Sequence, residues 1–155
     1  PEDPCDVDAC RESALRLLDA ADRPSGALRD RLIDKGYDDE TVAAVVDRLI
    51  EVGLVDDESY AQSAVRYCVG RLMGYRGAVM ELARKGVDRP LAERVCDEAR
   101  MSGVFEDAAW ELGRRSAAKT QGMDPKVRKR RFWSSGGRKG HDAETLRAVA
   151  HELFD

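Results

Sequence analysis

Lys35-Gly36-Tyr37-Asp38, Lys85-Gly86-Val87-Asp88 and Lys139-Gly140-His141-Asp142 are three copies of one pattern, Lys-Gly-x-Asp, in a chain of 155 residues. The glycines stand 50 and then 54 residues apart. Each position has a physical role. Lysine in the last turn of a helix meets the negative end of the helix dipole. Glycine just past that end takes the left-handed conformation that closes a helix. Aspartate two residues later offers its carboxylate to the free N–H groups of a new helix. In the second copy Pro90 falls in the first turn of that helix, where a missing N–H does no harm. The pattern reads as a helix stop followed by a helix start, in preference to a ligand-binding loop.

The flanks carry the same period. Six, nine and thirteen residues after each glycine stand Val42, Val45 and Leu49, then Ala92, Val95 and Ala99, then Leu146, Val149 and Leu153. Those offsets put three apolar side chains on one helical face. Before the glycine, Leu28 and Leu32 match Ala78 and Leu82. A further helix is expected upstream of each pair, from about Ala9 to Ala21 with Leu15 and Leu18 apolar. The next starts after Asp56-Asp57 with Tyr60, Ala64, Val65 and Cys68. The last runs from about Glu106 to Lys119 with Ala109, Trp110 and Leu112. The expected fold is all-α: three tandem three-helix repeats in an elongated, curved array. A tail covers 1–8 and the repeats 9–53, 54–103 and 104–155.

Composition narrows the function. Apolar residues make up 43% of the chain and charged residues 36%, which suits a folded, helix-rich protein. A net charge of −4 argues against a surface wholly devoted to nucleic acid, while leaving room for a local basic patch. No apolar stretch approaches the ~20 residues that span a bilayer, and no secretory leader pattern is present, so no membrane is expected and the expected compartment is the cytoplasm. Cys5, Cys10, Cys68 and Cys96 form no Cys-x-x-Cys pair, and His141 and His151 lie far from them, so no metal or other cofactor is expected. No Walker-type phosphate loop occurs, and the pairs Asp38-Asp39 and Asp56-Asp57 read as helix caps. The chain is not read as an enzyme.

The segment Gly53-Leu54-Val55-Asp56-Asp57-Glu58-Ser59-Tyr60-Ala61 resembles the link between the first two three-helix units of the RecX family. Glu81-Leu82-Ala83-Arg84-Lys85-Gly86-Val87 is similar to that family's Glu-Leu-x-x-Lys-Gly-apolar segment, and with Leu28 to Gly36 the resemblance covers roughly Ala14 to Phe154. It implies a regulatory protein that binds the RecA–DNA filament along its groove and restrains strand exchange, ATP hydrolysis and coprotease activity. Two departures stand out. Gly74-Tyr75-Arg76-Gly77 replaces a more usual Gly-Pro before the middle helix of the second unit. In the third unit, Trp133-Ser134-Ser135-Gly136-Gly137 stands where an apolar helical stretch belongs. Glycine costs a helix interior about 1 kcal/mol, so a short helix with a loop before Arg138 is expected there.

Two basic groups are the candidate contacts for RecA or for single- or double-stranded DNA. One is the run Lys126, Arg128, Lys129, Arg130, Arg131, Arg138 and Lys139, free of acids and enclosing Phe132 and Trp133. The other is Arg66, Arg71, Arg76, Arg84 and Lys85, with Arg66, Arg71 and Arg76 expected on one groove. Basic side chains neutralise phosphates and aromatic rings stack on unpaired bases; for Trp133 a core position is the expected one. The acidic stretch Asp38 to Glu58 suits a protein partner better than DNA. A monomer is expected. Two other readings stay open, a helix-turn-helix DNA-binding module and a helical protein-interaction scaffold.

Overall fold

The computed structural model describes residues 1–155: nine α-helices and no strand. They are α1 (Val7–Ala20), α2 (Ser25–Asp34), α3 (Asp39–Glu51), α4 (Asp57–Gly70), α5 (Tyr75–Arg84), α6 (Arg89–Met101), α7 (Val104–Lys119), α8 (Pro125–Arg138) and α9 (Ala143–Phe154). They pack three by three, and each triplet has its own core. Leu28, Leu32, Val42, Val45, Val46 and Leu49 fill the first. Ala61, Ala64, Val65, Cys68, Ala78, Leu82, Ala92, Val95 and Cys96 fill the second. Ala109, Leu112, Phe132, Leu146, Val149 and Ala150 fill the third. The all-helical tandem repeat is as expected. Two local readings change. The tail ends earlier than 1–8, because Asp6 caps α1 at the Ala9 N–H and helix begins at Val7. The buried row of α1 is Cys10, Ala14 and Leu17, with Leu15 and Leu18 only flanking the core.

The repeated turns take the backbone their sequence dictates. Gly36, Gly86 and Gly140 have φ of 105°, 102° and 85°, and Asp38 and Asp142 accept from the N–H of Thr41 and Thr145 at 2.8 and 2.7 Å. Asp88 makes no such bond, and Pro90 in the first turn supports that helix start instead. Asp56 caps its own helix at Ser59. Asp57 does something else. Its carboxylate accepts the Ser25 N–H at 2.7 Å and the Ser25 hydroxyl at 2.6 Å, so it caps α2 of the preceding unit.

The turns also join the units. A methyl group on Gly26 would lie 2.6 Å from the Gly86 carbonyl oxygen, and one on Gly77 would overlap the Lys139 carbonyl oxygen. The Gly74 N–H donates to that same Lys139 oxygen at 2.8 Å. Each Lys-Gly turn therefore sits against the start of the middle helix in the unit before it, and glycine there permits the backbone approach. At the first unit's turn the chain's own first residues take the corresponding place. Residues 1–5 lie there, with Pro1 against Gly36 and the Asp38 N–H donating to the Pro4 carbonyl at 3.0 Å. At the other end, α8 has 14 residues where α2 and α5 have 10. That added turn matches the longer spacing before the third glycine.

The Gly136-Gly137 segment corrects the expectation of a short helix and a loop: α8 runs unbroken to Arg138. A Cβ on Gly136 would overlap the Leu146 side chain, so the glycine lets α9 pack close. Phe132 behind it is fully buried and stacks on Phe154 with ring centres 5.4 Å apart. Packing of this kind outweighs a weak local propensity. With 9317 Å² of exposed surface, the chain exceeds the roughly 7,800 Å² of a compact monomer of its mass, as an elongated row of three small cores should.

Candidate functional site

The junction of the second and third units is held by backbone groups. Just past the end of α4, Leu72 has φ 62°, the one residue other than glycine in the left-handed region. That conformation costs about 1–2 kcal/mol, and it is kept because the Leu72 side chain packs on the third unit's core. His141 Nε2 donates to the Leu72 carbonyl at 2.8 Å, and Lys139 Nζ donates to the Arg71 carbonyl at 2.7 Å. A carbonyl only accepts, so neutral His141 carries its proton on Nε2. Burial pushes the imidazole pKa down, with the Leu72 hydrogen bond opposing it.

Two adjoining clefts open along this junction. One, of about 560 Å³, is lined by Tyr67, Arg71, Met73, Glu81, Ser135, Arg138 and Lys139. The other, of about 470 Å³, shares Arg71, Ser135 and Lys139 and adds Arg115, Lys119 and Arg131 among its walls. Glu81 is their one acid. It is engaged by Arg84 and Lys85, and the Arg84 hydrogen bond holds its carboxyl below the usual range. Arg115 pairs with Glu111 at 3.1 Å. Arg71, Lys119, Arg131, Arg138 and Lys139 have no acidic partner, so five positive charges converge on one recess. Walls of low dielectric focus such a field on an incoming anion.

The candidate residues thus divide. Arg71, Arg131, Arg138 and Lys139 come together in the clefts, with Arg84 and Lys85 at their edge on Glu81. Arg66 does not join Arg71; it borders a separate, mostly apolar recess with Gln62, Val65, Val69 and Glu98. Arg76 is exposed on α5, and Lys126 and Arg130 are exposed near the start of α8, outside both clefts. Lys129 pairs with Asp155 at 2.5 Å. Arg128 is used internally: it donates to the Thr120 hydroxyl at 3.1 Å and the Ala117 carbonyl at 3.0 Å, closing the end of α7, and lies over the Phe154 ring. Trp133 is half-buried against the third core.

Three contributors escaped the sequence reading. Arg115 and Lys119 stand four apart on the last turns of α7, directly before the basic run, and that spacing was the available signal. Tyr67 stands four before Arg71 on α4 and donates no packing to the core: it is 55% exposed.

Comparison with known proteins agrees with this architecture. Residues 10–49 match the family model for the first three-helix domain of RecX. Regulatory protein RecX of Thermobifida fusca is 37% identical over 147 residues, covering 92% of this chain and 78% of that protein. Regulatory protein RecX of Streptomyces lividans is 32% identical over 155 residues, covering 99% and 81%. The crystal structure of RecX from Lactobacillus salivarius superposes with a TM-score of 0.83 over 96% of both chains at 20% identity, which bears on the fold. The chain belongs to the RecX family of regulatory proteins.

Proposed function

We propose that this chain regulates RecA by binding the RecA–DNA filament, lying in its groove and restraining recombination, ATP hydrolysis and coprotease activity. The observation that carries this reading is the basic recess between the second and third units, set in a chain of regulatory family. A DNA-bearing filament offers phosphates at regular intervals, and an elongated array with a focused positive recess suits it. We take the protein to act by binding, as a monomer in the cytoplasm, and to have no enzymatic activity of its own.

The charge distribution gives the array a direction. Residues 1–53 hold 14 acids and seven bases, while residues 104–155 hold eight acids and 11 bases. An acidic first unit and a basic last unit favour a single orientation along a charged partner. The helix-turn-helix reading is less well supported, because exposed Asp47, Glu51 and Glu98 lie on the third helices that would enter a groove.

The test is RecA's DNA-dependent ATP hydrolysis. Purified protein at up to equimolar amounts should slow it severalfold. An unchanged rate under conditions where RecA is active contradicts the reading.

A further inference from the structure

We propose that Tyr67 is a stacking platform by which the basic recess holds single-stranded nucleic acid through an unpaired base. This inference rests on the recess being the contact surface proposed above, and it specifies what the recess recognises.

Tyr67 is unlike the other aromatic residues of the chain. Tyr37, Phe105 and Phe132 are buried. The Tyr75 ring is covered by Arg100, 3.9 Å from its centre, and Trp110 and Trp133 pack on the third core. Tyr67 is more than half exposed and lines the larger cleft. Arg71 and Lys85 sit over the ring, but at 5.7 and 5.8 Å from its centre, well outside the 3.9 Å at which Arg100 covers Tyr75, and Arg71 Nη1 donates to the Tyr67 hydroxyl at 3.3 Å. A base that takes the ring face leaves these long, exposed cationic side chains free to swing onto its phosphates.

The recess has the size and polarity for the rest of a nucleotide. Its 560 Å³ lies within the range of small-ligand sites. Arg138 and Lys139 line it together with Tyr67, and Arg131 and Lys119 line the neighbouring cleft. Single strands are favoured over duplex because paired bases are already stacked on both faces and leave the ring nothing to cover. Carboxylates of an acidic protein would satisfy the cations and leave the Tyr67 face bare.

The experiment is fluorescence anisotropy with the full chain and three labelled probes: an oligodeoxythymidylate, an abasic strand of equal length, and a duplex. The intact protein should bind the thymidylate about tenfold more tightly than the abasic strand, the range one base–aromatic stack supplies. Tyr67→Ala should abolish the difference between thymidylate and abasic strands, with a thermal melt confirming that it folds. Tyr67→Trp should keep the preference, and its added indole emission should fall as thymidylate binds. Equal affinity of the intact protein for thymidylate and abasic strands overturns the proposal, as does duplex binding as tight as single-strand binding, or a Tyr67→Ala variant that keeps the preference. RecA ATPase inhibition measured on the same samples separates the two ideas. Inhibition without base preference defeats the stacking platform alone, and base preference without inhibition supports it while defeating the filament reading.

Discussion

Gly136 and Gly137 are neighbours in α8 with opposite surroundings. A Cβ on Gly136 would overlap Leu146, whereas one on Gly137 meets open space. Gly136→Ala should therefore destabilise the protein by about 1–3 kcal/mol through overpacking. Gly137→Ala should stabilise it by about 0.5–1 kcal/mol, because alanine is the better helix former. Urea denaturation of the two variants checks the signs, and equal signs would contradict the packing account. The sequence shows two glycines and their propensity, which is why a broken helix was expected. It does not show Leu146 approaching from α9. Arg128 teaches the same lesson. In sequence it is one more cation in a basic run, but its guanidinium is spent on the Ala117 carbonyl and the Thr120 hydroxyl. A partner three-dimensionally close but eight or more residues away leaves no mark on local charge pattern.

At the scale of elements, the Lys-Gly-x-Asp turns proved to have two roles, of which the sequence displayed one. Closing a helix and starting the next is local chemistry, and φ and cap positions follow directly from the residue types. Seating on the unit before is not local, and its traces were only the glycines at the starts of the middle helices, Gly26 in α2 and Gly74 and Gly77 at α5. Gly77→Ala should push its methyl into the Lys139 carbonyl, a backbone atom that cannot swing aside. The expected result is loss of amide-exchange protection across α7 to α9 with α1 to α3 unchanged. Uniform loss along the chain would contradict the seating. The same junction should respond to pH. Burial depresses the His141 pKa relative to the ordinary 6.5 of the unfolded chain. Its contribution is therefore complete above that ordinary value and is lost as pH falls through the lowered one. Asp142 and Glu81, both held below the usual carboxylate range, begin to fail only at lower pH. Between pH 7 and 5, the melting temperature of the intact chain should fall, and His141→Gln, which keeps a donor for the Leu72 carbonyl, should flatten that slope. An equal slope in both would contradict the assignment.

Across the whole molecule, the architecture was readable because repeats announce themselves: a turn pattern, a helical period and a linking segment recur in the same order. The recess was only half readable. Basic residues were visible as two runs in different units, but which of them converge depends on how those units meet. That meeting brings in Arg71, Arg131, Arg138 and Lys139, recruits Lys119, and leaves Lys126 and Arg130 outside. The distinction sets up a charge-matched test of the central claim. RecA's DNA-dependent ATP hydrolysis should be titrated with the intact protein, with Arg131→Ala/Arg138→Ala, and with Lys126→Ala/Arg130→Ala. The two variants lose equal charge, so a difference between them reports place and not net charge. The first should need about tenfold more protein for the same inhibition and the second less than about twofold more, since converging cations in one recess are worth more than scattered surface ones. Equal loss in both variants, or none in the first, would contradict the basic recess as the surface through which this protein acts on RecA.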